Sequence, residues 1–170
     1  MGHQAIIYGR INCIKGDNVA IFNRRILQEL PDNDDSWPFL TRHMFSATEE
    51  KVGPCSDRGI YKSLIIHFGA SLKDEPAENA HWNDWLTKFE LLLNNLIWQD
   101  AKVYIELAFS KEKLYVYKSD WKIIQEKINQ DFLPDIFNGF EIGKMSFSEL
   151  RTIFYGQKRM YWSKEVLEMK

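Results

Sequence analysis

The side chains best suited to metal binding or nucleophilic attack are four His and two Cys, and their spacing supplies neither chemistry. His43, His67 and His81 are not set as helix-borne ligands, and none stands beside a carboxylate in an HExxH arrangement. Cys13 falls in an alternating run and reads as a small core residue. Cys55 sits in the turn-rich stretch Gly53-Pro54-Cys55-Ser56-Asp57 with nothing adjacent to lower its pKa. Gly9, Gly16, Gly53, Gly59 and Gly69 never approach a dinucleotide or P-loop pattern, and no Ser-centred nucleophile elbow is present. No cofactor and no metal site is expected. His67 remains the best candidate base, with Glu106 as the carboxylate that a sheet would bring near it.

The chain is rich instead in aromatic side chains, 14% of its 170 residues and six of them Trp, on strongly patterned segments. Residues 4–14 alternate with the period of a strand: Ala5, Ile7, Gly9, Ile11 and Cys13 on one side, Gln4, Ile6, Tyr8, Arg10 and Asn12 on the other. Asp17 can open a helix carrying Val19, Phe22, Ile26, Leu27 and Leu30, which Pro31 ends. Residues 39–46 give a weakly signalled second strand. Residues 64–71 give a clearer third, with Leu64, Ile66, Phe68 and Ala70 alternating against Ile65, His67, Gly69 and Ser71. Trp82, Trp85, Leu86, Phe89, Leu92, Leu93, Leu96 and Ile97 make a wide apolar stripe that predicts a helix over 79–98. A strand over 102–109 follows, then a hairpin partner at 114–117, and further helices over 119–132 and 146–154.

That order is strand, helix, strand, strand, helix, strand. It predicts an α+β two-layer sandwich: an antiparallel sheet of about five strands, helices on one face in ferredoxin-like order, and appended C-terminal helices. One domain spans 1–170, with a core at about 3–118 and a helical extension at about 119–170.

Such a sheet has a second face, which collects Ile6, Tyr8 and Arg10 from the first strand, Ile65 and His67 from the third, and Tyr104 and Glu106 from the fourth. Tyr115 and Tyr117 join them if Leu114 and Val116 point inward. Aromatic and Arg side chains are enriched in binding hot spots, which makes this the candidate binding surface. If the C-terminal segment covers it, binding moves to loops such as the acidic one carrying Asp32, Asp34, Asp35 and Trp37.

A formal charge of −2 gives no broad cationic field, so nucleic acid is an unlikely partner. The Gly- and aromatic-rich strand signature of RNA-recognition folds is also missing, and Glu106 sits on the proposed face. No apolar stretch reaches the length of a membrane span and no export signal opens the chain, so the expected location is the cytoplasm. These readings favour a non-enzymatic module that binds another protein, a toxin-neutralising immunity protein or similar small inhibitor being one instance. The alternative is a small-ligand sensor or enzyme with a pocket around Tyr8, His67, Tyr104 and Glu106. A homodimer pairing its sheet faces is a third reading.

Overall fold

Alternation along the first strand sets the architecture. In the computed structural model, which describes residues 3–13, 17–47, 65–74, 80–107, 111–120 and 162–169, β1 (His3–Cys13) buries Ala5, Ile7, Ile11 and Cys13 and leaves Ile6, Tyr8 and Arg10 exposed. It lies between β3 (Ile65–Asp74) and β4 (Trp98–Leu107), antiparallel to both. Gly9 sits opposite Phe68 and Val103, and a Cβ there would lie 2.0 Å from the Lys102 carbonyl oxygen and 2.5 Å from Phe68 Cζ. Only glycine admits that approach of backbone and ring.

The short β2 (Phe45–Ala47) pairs with β3, while β5 (Lys113–Ser119) pairs with β4 and with β6 (Trp162–Glu168). The described residues thus form a six-stranded antiparallel sheet of order β2-β3-β1-β4-β5-β6. Together with α1 (Asp17–Gln28) and α2 (Ala80–Leu93) they make an α+β fold. The count exceeds the five strands expected because β6 takes residues that were expected to belong to a helical extension. It is an edge strand exposed on both sides, so it carries no alternation to read. Ile7, Ile11, Ile66, Phe68, Val103 and Ile105 from the sheet share one hydrophobic cluster with Phe22 and Ile26 of α1 and Trp85, Leu86 and Phe89 of α2.

Several expected boundaries move, these most of all. The strand expected over 39–46 is only Phe45–Ala47, because Arg42–Met44 form a 3-10 turn first. The second helix ends at Leu93, and Trp98 opens β4. The apolar stripe continues through Leu96, Ile97 and Trp98, all buried, but Asn94 and Asn95 turn the chain between them. Ser119, expected to open a helix over 119–132, instead closes β5; the rest of that helix beyond residue 120, the helix over 146–154 and Cys55 lie outside the described residues.

One buried polar residue ties helix to sheet. Asn23 of α1 is fully buried; its Nδ2 donates to the Ile97 carbonyl at 2.8 Å and its Oδ1 accepts from the Ile97 amide at 2.9 Å. Two backbone groups entering β4, otherwise orphaned in the core, are satisfied by this one side chain.

Candidate functional site

Register places most of the expected surface residues on one side of the sheet. Tyr8 is paired with Tyr104 across β1 and β4, Arg10 with His67 across β1 and β3, and Glu106 and Ile65 fall opposite Ile6 and Asn12. Ile6, Tyr8, Arg10 and His67 are exposed, whereas Tyr104, Glu106 and Ile65 are half-buried. The Tyr8 and Tyr104 rings stack with centroids 4.9 Å apart and planes 6° from parallel. Glu106 accepts a hydrogen bond from the Tyr8 hydroxyl and, with burial and its own charge, pushes that phenol up to about 12. A phenol so held is a proton donor at neutral pH and a poor nucleophile. At the far end Asp100 accepts from Asn12 Nδ2 at 3.0 Å and pairs with Arg10 at 3.8 Å.

Tyr115 and Tyr117 do not join this surface. They pair with Val103 and Ala101, core-facing residues of β4, and are themselves buried in the hydrophobic cluster. Tyr117 is the better fixed: its hydroxyl donates to Glu90 Oε1 at 3.1 Å, and burial with that carboxylate raises its pKa well above the ordinary phenol value. Leu114 and Val116 occupy the other side, opposite Tyr104 and Lys102. With apolar residues on both sides of β5, register against β4 decides which of them join the cluster.

His67 and Glu106 are also kept apart. His67 lies opposite Arg10 and Glu106 opposite Ile6, four residues away along β1, about 13 Å at 3.3 Å per residue with β1 itself between them. The register therefore assembles no His67–Glu106 dyad. Among the described residues no group of three or more His, Cys, Asp or Glu side chains comes together. Cys13 is buried, and loss of solvation pushes its thiol up to about 12.

The acidic loop is a brace more than a charged surface. Asp34 accepts from the Ser36 amide and hydroxyl, from the Leu40 amide and from Lys88 Nζ at 2.6 Å. Burial alone would raise its pKa, but these donors outweigh it and hold the carboxyl well below the usual carboxylate range. Lys88 also donates to the Ser36 and Pro38 carbonyls, fastening the loop, with its cis Trp37–Pro38 bond, to α2. Asp32 pairs with Arg42 and His43. Trp37 packs edge-on against Phe39 and Trp82, and Asp35 is exposed. Lys88 and Glu90 of α2 thus each hold down a neighbouring segment. Between the loop and the two helices lies a cleft of about 350 Å³, lined by Ile26, Leu30, Leu40 and Leu92 with Asp34 and Lys88.

No helix among the described residues is long and apolar enough to cross a membrane. Comparison with protein-family models, with curated proteins and with solved structures finds no match.

Proposed function

We propose that the chain is a non-enzymatic protein-binding module, of which a toxin-neutralising immunity protein or similar inhibitor is the instance we favour, and that it meets its partner through the sheet side bearing Tyr8 and Tyr104. The observation that carries this reading is the stacked tyrosine pair on the two central strands, with the Tyr8 hydroxyl bonded to Glu106. Side chains already fixed in one rotamer lose little entropy on binding, and tyrosine offers a large contact area with a polar tip. Exposed Ile6 and the Arg10–Asp100 pair supply an apolar flank and a charged rim. The action proposed is occlusion: a rigid face laid over the partner's own working surface. The raised Tyr8 phenol and the separation of His67 from Glu106 weigh against a catalytic alternative.

The strand order β2-β3-β1-β4, taken with the element order β-α-β-β-α-β, supports a ferredoxin-like reading in which both helices lie on one side and β5 and β6 extend the sheet. That reading leaves the tyrosine side for a partner.

The test is capture from the native host with three baits: the natural chain, the Tyr8→Ala/Tyr104→Ala double variant, and Leu91→Ala on the helix side. A stoichiometric protein should be held by the first and third and lost from the second, since two hot-spot truncations at about 2 kcal/mol each weaken binding roughly 1,000-fold. Equal capture by all three overturns the assignment of the surface.

A further inference from the structure

The sheet has two edges, and they differ in what they offer. β2 presents three residues, whereas β6 presents seven, all exposed except Trp162, which is half-buried. No strand among the described residues pairs with its outer edge. The Met169 amide donates to the Glu112 carbonyl, so in the antiparallel ladder the odd-numbered residues of β6 turn their backbone groups toward β5. The amides and carbonyls of Trp162, Lys164, Val166 and Glu168 therefore point away from the sheet.

We propose that this edge is a homodimer interface in which β6 of one chain pairs antiparallel with β6 of a second copy about a two-fold axis at Val166. In that register Val166 pairs with its own copy and Lys164 faces Glu168 twice over. Lys164, Val166 and Glu168 then find partners for their outward backbone groups, making about six interchain hydrogen bonds. Lys164, Val166 and Glu168 share one side of the strand, so each ammonium comes beside a carboxylate of the other chain. Lys164 is already held at 2.7 Å by Glu90, which fixes its position and leaves donors to spare.

The same charges reject the alternatives. A parallel pairing sets Lys164 against Lys164. An antiparallel pairing shifted two residues toward the N-terminus sets Glu165 against its own copy, and the opposite shift loses both ion pairs. Charged residues commonly protect an edge from promiscuous pairing; here their order permits one register. The second occupant is the chain itself because the strand is self-complementary about its centre, which an unrelated peptide has no reason to match. The inference is independent of the tyrosine surface, which remains free in the dimer and becomes two surfaces on one continuous sheet.

Sedimentation velocity over a concentration series tests this, with a monomer mass of 20.1 kDa as reference. A seven-residue edge lies at the small end of specific interfaces, so dissociation is expected at about 10 µM. Val166→Pro removes an outward amide without touching the β5 ladder and should leave the fold intact while abolishing the dimer. Glu168→Lys sets two cations together at both ends of the interface and should weaken association at least about tenfold. Natural protein that stays monomeric to about 300 µM, well above that constant, overturns the proposal. So does a dimer that survives Glu168→Lys and a folded Val166→Pro unchanged.

Discussion

Replacing Asn23 by Ala probes the connection between helix and sheet directly. The substitution removes both partners of Ile97, whose amide and carbonyl bond the Asn23 side chain at 2.9 and 2.8 Å and whose residue is 3% exposed. No water reaches such groups without opening the core. Each buried group left unpaired costs about 1 to 3 kcal/mol, and the space left by the lost amide adds a little more. The sum is about 3 kcal/mol. Urea unfolding followed by Trp fluorescence should show it as a midpoint lower by about 1.5 M for a slope near 2 kcal/mol/M. Asn23→Asp sharpens the test, since a carboxylate can accept from the Ile97 amide but faces its carbonyl without a proton to give. Burial would raise that acid's pKa, so the variant should regain stability as pH falls, once the protonated group can donate. A loss below about 1 kcal/mol in Asn23→Ala, or an Asp variant indifferent to pH, would refute the role given to this residue.

Further outcomes are expected. Gly9→Ala sets a Cβ 2.0 Å from the Lys102 carbonyl and should destabilise the fold by more than about 3 kcal/mol, read in the same unfolding assay. Lys88→Met leaves Asp34 without its cation and should lower stability by about 2 kcal/mol at neutral pH. In the natural protein, Asp34's depressed pKa contributes stability that is present above about pH 4 and is lost as pH falls below it. Tyr8 behaves in the opposite sense. Its folded pKa of about 12 lies above the unfolded value of 10.0, so its contribution is present below pH 10 and lost as pH rises toward 12. Glu106→Gln should bring one tyrosine's ultraviolet titration down toward the ordinary value.

What could be read in advance followed from how much contrast each segment carried. β1 and β3 have a clear apolar side and a mixed one, so alternation alone gave their faces, and with them the positions of Tyr8, Arg10, Ile65 and His67. β5 lacks that contrast: Leu114 and Val116 are as apolar as Tyr115 and Tyr117, Leu114 is as buried as Tyr115, and only pairing to β4 separates the two sides. The stripe of α2 was legible, but its end was not, because Leu96, Ile97 and Trp98 continue helical spacing through the turn that follows Leu93. Asn23 was invisible to any pattern of burial, being a polar residue buried for its hydrogen bonds. The brace between Lys88 and Asp34 joins residues 54 apart in sequence, a distance at which local spacing says nothing. His67 and Glu106 did reach the same face, yet face alone does not fix distance along a strand; register does.

The central claim is that the tyrosine side of the sheet contacts a protein partner, and crosslinking in the native host tests it most directly. A photoreactive benzophenone amino acid placed at Ile6 samples the space beside the Tyr8–Tyr104 stack without disturbing it, and the same residue at Leu91 samples the outer surface of α2; both positions are exposed. Irradiation should yield one discrete adduct with another protein from position 6 and none from position 91. Adducts from position 91 alone, or none from position 6, would contradict the claim.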